Sequence, residues 1–202
     1  MTDRRTAIKN AALQGFLENG YAATTITQIG RQSGSTVGSI YHAFSGKPAI
    51  AYEIWSEGQP EDIADLMEKC GNKPRKAITA VIDHYLEWGW KNPEVYKFHH
   101  DLMARAKTDP DFAPLSAQIA SQMSDCAAIY QRWVDEKLVE PHDWTTASAL
   151  IFGPADHFLT SGSARNPDLA AVLANVAWQG LKPNKNGNNK KDKQNKSSKK
   201  SK

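Results

Sequence analysis

The sequence predicts an all-α chain in two parts, a three-helix unit at the N-terminus followed by a larger helical body. Three observations carry this. Apolar residues recur at three- and four-residue intervals along most of the 202 residues, which is the period of a half-buried helix. Gly, Pro and Asn/Asp clusters fall between those stretches and read as short connections. No segment shows the strict alternation or the two-residue turn of a strand hairpin.

From Arg4 to Asn19 the residues Ile8, Ala11, Ala12, Phe16 and Leu17 share one helical face, and Gly20 fits the position just past the helix end. A second helix is expected from Thr25, which caps it with Gln28 three residues on as the partner of a capping box. Ile26 and Ile29 form its inner side. Gly34 interrupts the pattern after about two turns, and Ser35 or Thr36 caps a third helix with Ile40 and Phe44 four residues apart on the buried side. Three short helices with a glycine turn between the last two form a helix-turn-helix arrangement. Pro48 suits the first turn of a fourth helix running to about Ser56, because its missing N–H has no partner there in any case.

Further helical periodicity covers 61–70, 74–91, 93–107, 112–138, 143–161 and 167–181. From Lys182 onward the chain is mostly Lys, Asn, Ser, Gly and Gln without a large apolar residue. Such a composition cannot offset the entropy of ordering and is expected to be disordered. The domain boundaries predicted are therefore 1–50, 51–181 and a Lys-rich tail at 182–202.

Hydrophobic residues make up 40% and charged residues 23%, and no apolar run approaches the roughly 18 residues of a membrane span. The first residues lead into a mixed polar stretch with no secretory pattern, so the cytosol is the expected compartment and no membrane partner is expected. Cys70 and Cys126 have no companions for a disulfide framework or a zinc set. The formal +3 hides an uneven distribution. Residues 1–50 carry five basic side chains against two acidic, residues 51–181 eleven against nineteen, and residues 182–202 nine against one. An acidic body between two basic ends is expected to meet a polyanion at its ends.

The segment Gly34-Ser35-Thr36-Val37-Gly38-Ser39-Ile40-Tyr41-His42-Ala43-Phe44-Ser45-Gly46-Lys47 resembles the recognition segment of the TetR/AcrR regulators. Ala11-Ala12, Phe16, Gly20-Tyr21 and Thr24-Thr25-Ile26 match that family's first-helix pattern, so the resemblance runs over residues 4–55 in register. Ser35, Gly30, Ala43 and Pro48 depart from it. The resemblance implies a DNA-binding repressor that holds a palindromic double-stranded operator as a homodimer and is released by a small-molecule ligand. It also implies that Thr25 and Thr27 touch the sugar-phosphate backbone. With Ile40 and Phe44 inward, Val37, Tyr41 and His42 point outward; Val37 suits a thymine methyl, and Ser39, Tyr41 and His42 suit phosphate or base edges. Thr36 and Gly38 complete the set, Gly38 by letting backbone approach backbone. Lys47, beside the fourth helix's N-terminus, is expected to meet a phosphate. Each residue also has a purely structural reading: Thr25 and Thr36 as caps alone, Tyr41 as half-buried core, Lys47 as a solvated charge.

In the body, Trp88, Tyr96, His99, Phe112, Tyr130 and Trp133 are the expected lining of a ligand pocket, with plain core packing as the alternative. His99 and His100 are adjacent on one helix and point about 100° apart, which argues against a shared metal. No metal, cofactor or catalytic set is expected. The terminal helix pair, with Leu150 and Val176, resembles the family's dimerisation pair. Two rivals remain, a sequence-nonspecific architectural DNA binder led by the lysines and, behind it, a helical enzyme using His99, His100 or His157.

Overall fold

A computed structural model of the chain describes residues 4–184. The order of elements is α1 (Arg4–Ala23), α2 (Ile26–Ser33), α3 (Val37–Ala43), α4 (Lys47–Glu57), α5 (Ile63–Cys70), α6 (Pro74–Lys91), α7 (Pro93–Ala106), a 3-10 turn (Pro110–Phe112), α8 (Ala113–Asp135), α9 (Trp144–Thr160) and α10 (Leu169–Leu181). No strand occurs among the described residues. The expected disorder of the lysine-rich stretch falls, beyond Asn184, outside the described residues.

Local chemistry sets the helix ends. Regular α1 stops at Gly20, whose φ of 79° and ψ of 157° leave the helical region, and one short turn follows to Ala23. Thr25 and Gln28 form the reciprocal capping box at α2, an arrangement that contributes about 1 kcal/mol. Asp62 and Asp143 cap α5 and α9 through their carboxylates. Pro154 lies inside α9 and cannot donate to the ladder.

α6 is the axis of the body and packs on α5, α9 and α10. Ile78, Val81, Ile82 and Leu86 on α6 meet Ile129, Tyr130 and Trp133 from α8, Ile151 from α9 and Leu173 and Ala177 from α10 in one buried cluster. A second cluster gathers Ile8, Phe16, Ile29, Ile40, Phe44, Ile50 and Trp55, and it is completed by Phe98 and Leu102 of α7, Phe112 of the 3-10 turn and Leu115 of α8. Phe16 stacks on Phe98 at 5.7 Å and Tyr21 meets the edge of Phe112 at 5.1 Å. The small unit is thus closed by body residues, and the boundary expected at residue 50 falls inside α4.

Candidate nucleic-acid interface

The turn between α2 and α3 is tightly closed. Gly34 takes the left-handed conformation (φ 67°, ψ 21°), and its N–H and that of Ser35 both reach the Gly30 carbonyl, the latter at 2.9 Å. A side chain at residue 30 would place its Cβ 2.8 Å from the Ser35 carbonyl oxygen, so the glycine that departs from the family pattern is matched by this close turn. Thr36 then caps α3: its Oγ1 accepts from the Ser39 N–H at 3.1 Å and lies 2.9 Å from the Ser39 hydroxyl.

Ile40 and Phe44 are buried and hold α3 against the small core. The opposite face is open: Val37 is 42% and Tyr41 55% exposed, large values for apolar and aromatic side chains, and Gly38 and His42 beside them are exposed too. A Cβ at residue 38 would meet nothing nearer than Thr36 Oγ1 at 3.9 Å. The fold therefore does not require glycine there. Thr25 and Thr27 are exposed at the start of α2. Their residue types and exposure suit hydrogen bonds to phosphate, although Thr25 Oγ1 is already engaged with Gln28.

Lys47 has partners within the free chain. Its ammonium donates to the carbonyls of Tyr21 at 2.7 Å, Ala22 at 3.2 Å and Thr24 at 2.8 Å, and it lies 4.3 Å from the centre of the Tyr21 ring. An ammonium has three N–H donors, so the free chain holds all of them on the carbonyls that end α1. Burial, helped by the nearby Arg105, lowers its pKa. The physical reason is local: the turn after Gly20 leaves carbonyls unpaired, and Lys47 reaches them in the free chain.

Arg5 is not legible in the sequence as a site residue. Its Nη1 donates to the Ala43 carbonyl at 2.6 Å, its Nε to Glu53 Oε1 at 2.8 Å and its Nη2 to the other Glu53 oxygen, while the guanidinium lies 4.1 Å over the Phe44 ring. Lys9 joins the same carboxylate at 3.2 Å and also pairs with Glu57. The Arg5 hydrogen bonds hold the Glu53 carboxyl below its usual range. Arg4, Arg5, Gly38, Ser39, His42 and Ala43 line one shallow groove beside α3. No local signal marks a pair separated by 48 positions.

The six aromatic residues expected to line one pocket fall in three places. Trp88, Tyr96 and His99 come together, with Trp88 6.0 Å from Tyr96 and 5.3 Å from His99. Phe112 belongs to the small core. Tyr130 and Trp133 belong to the body core, where their polar atoms donate to the carbonyls of Glu140 and Gly71. Trp133 also borders a small enclosed apolar cavity with Met67, Ile78, Val81, Trp144, Ile151 and Phe152. His99 is buried with no partner for Nε2 among the described residues, and burial pushes its pKa down to about 4.

Residues 8–54 match the family model described as bacterial regulatory proteins of the tetR family. Over that stretch the chain is similar to the TetR-family regulators. An HTH-type transcriptional regulator, LmrA of Bacillus subtilis, is 37% identical over 84 residues, covering 40% of this chain and 44% of that relative. The chain therefore spans less than half the length of this curated relative. Among solved structures, a TetR-family transcription regulator from Marinobacter aquaeolei superposes with a TM-score of 0.72 at 16% identity, covering 90% of this chain and 96% of the other. The ketosteroid transcriptional regulator KstR2 of Mycobacterium tuberculosis gives 0.66 at 17%, covering 91% and 97%. PfmR of Thermus thermophilus gives 0.67 at 19%, covering 91% and 100%. These likenesses show that the TetR fold extends from the helix-turn-helix through the body.

Proposed function

We propose that this chain is a DNA-binding transcriptional repressor of the TetR type, which holds a palindromic operator as a homodimer and is released when a small molecule enters its helical body. The open face of α3 carries the reading: Val37, Gly38, Tyr41 and His42 project from a short, rigidly capped helix whose other side is anchored by Ile40 and Phe44. Such a helix is built to enter a major groove, with Ser39, Thr36, Thr25 and Thr27 toward the backbone of the duplex. Lys47 supports the small unit from inside instead of binding phosphate.

One helix-turn-helix reads one half-site, so a dimer supplies the second by symmetry. Leu150 on α9 and Val172 and Val176 on α10 are exposed by 37%, 55% and 57%, and these apolar positions on adjacent helices suit a four-helix bundle with a second copy. Trp88, Tyr96 and His99 are the part of the expected ligand lining that supports a ligand contact near α7. No helix of the described residues is long and apolar enough to cross a membrane, and the cytoplasm is the compartment this reading assigns. No catalytic step or cofactor enters it.

Selecting bound sequences from a random DNA pool with the purified protein tests the reading. An inverted repeat is the expected product. A pool that stays random would overturn it in favour of the architectural binder, whose affinity comes from lysines alone.

A further inference from the structure

Helix α3 has only seven residues, and its last carbonyls have no partner within the helix. The Ala43 carbonyl finds one in Arg5, which comes from the first turn of α1 and makes a bidentate pair with Glu53 of α4. The same guanidinium covers Phe44, the residue that caps α3 and anchors it in the core. A planar cation at the C-terminal end of a helix is also placed where the helix dipole favours it. α4 continues beyond Glu53 to Trp55, whose ring stacks at 5.5 Å on His99 of α7 in the body.

We propose that Arg5 is a positioning residue for DNA recognition, a clamp through which Glu53 of α4 fixes the C-terminal end of the recognition helix. The proposal rests on the reading of α3 as the helix that enters the groove. Arg5 lies beside the outward face, in the groove that Gly38, Ser39 and His42 share, and although its side chain is 43% exposed its guanidinium is engaged with Ala43 and Glu53. It sets the angle of α3 relative to α4, and any displacement of α4 by the body reaches α3 along the same fork. Lysine cannot replace it, since a single ammonium has no planar fork with which to serve a carboxylate bidentately and a carbonyl beside it.

Charge separates this role from a direct phosphate contact. Glu53→Gln removes a negative charge close to the DNA-facing unit, which by electrostatics alone tightens binding to every DNA. The clamp requires the opposite for the operator. Affinities for a selected operator and for random DNA are measured by fluorescence anisotropy across a salt series for the parent, Arg5→Lys, Arg5→Gln and Glu53→Gln, with melting curves to place each measurement below unfolding. In all three variants operator affinity is expected to fall by about tenfold, the size of one good base contact, while random-DNA affinity holds for Arg5→Lys, rises for Glu53→Gln and falls much less than operator affinity for Arg5→Gln. The salt slope of Arg5→Gln stays that of the parent, whereas loss of a phosphate contact would flatten it by about one.

Glu53→Gln or Arg5→Lys with the parent's preference for operator would overturn the clamp and leave an ordinary surface ion pair. A flattened slope for Arg5→Gln would overturn it in favour of phosphate binding. A parent without any sequence preference removes the regulator reading and the clamp with it, and that outcome is told apart by the parent alone.

Discussion

At residue 38 the free protein has space for a methyl group, since a Cβ there would lie 3.9 Å from Thr36 Oγ1. Alanine is the better helix former by about 0.8–1 kcal/mol in an exposed helix interior. Gly38→Ala is therefore expected to melt at the parent's temperature or slightly above it while losing operator affinity by about tenfold or more, since the methyl intrudes only where backbone meets DNA. Melting curves and anisotropy titrations on the same samples check this, and undiminished operator binding would remove Gly38 from the interface. Lys47 makes the reverse case. Its ammonium is held by Tyr21, Ala22 and Thr24, so Lys47→Met leaves three carbonyls short of a donor and is expected to lower stability by about 1–3 kcal/mol. Its salt slope should match the parent's within error, because no phosphate contact is lost. A slope flatter by about one would return Lys47 to the backbone of the DNA.

At the scale of elements, α9 and α10 are held to the body by Ala147, Ile151, Ala155, Leu173, Ala174 and Ala177, all buried. Val172 and Val176 lie one turn apart on the other side of α10 and are more than half exposed. Val176→Asp consequently touches no core contact and is expected to keep the helical content of a single chain. In sedimentation it should run as a monomer where the parent runs as a dimer, because a carboxylate at the centre of an apolar interface is left unpaired. A dimeric, well-folded Val176→Asp protein would place the interface elsewhere. Element identity is legible in the sequence wherever caps and periodicity agree. Thr25 with Gln28 and Gly34 mark real helix ends, and the helix expected over 74–91 matches α6 to the residue. The 112–138 stretch is less so: the structure has a 3-10 turn at its start and ends α8 at Asp135, a difference set by Pro110 and by the loop that packs Leu138 and Val139 on the body. The outward face of α3 is legible for the same reason as its inward one, a 3.6-residue period. Arg5, Glu53 and the true partners of Lys47 are not, because their contacts join residues 23 to 48 positions apart and periodicity carries no information on such pairs.

At the scale of the whole molecule, the two cores meet where α7 lies against α4. His99 occupies this junction: it is stacked on Trp55 at 5.5 Å, is 5.3 Å from Trp88, and leaves Nε2 3.0 Å from the point a Gly58 Cβ would fill. Only 5% of the residue is exposed, and burial lowers its pKa from 6.5 to about 4. The unfolded chain therefore takes up a proton between pH 6.5 and 4 that the folded chain refuses. The stability that depends on neutral His99 is complete above about pH 6.5 and is lost as the pH falls toward the folded value, by about 3 kcal/mol at the lower end. Carboxylates begin to titrate in the same range, so the parent is compared with His99→Gln, which keeps a polar side chain but has no such proton to take up. Between pH 7 and 5 the parent's melting temperature is expected to fall further than the variant's, and the two curves should run parallel above pH 7. Because His99 takes up this proton only when the joint between α4 and α7 opens, the same acid range should favour that opening and loosen the recognition unit from the body before either core melts. Hydrogen exchange at pH 5 would then show faster exchange in α4 and α7 than in α6 and α8, and uniform exchange across all four would mean that His99 titrates only with global unfolding.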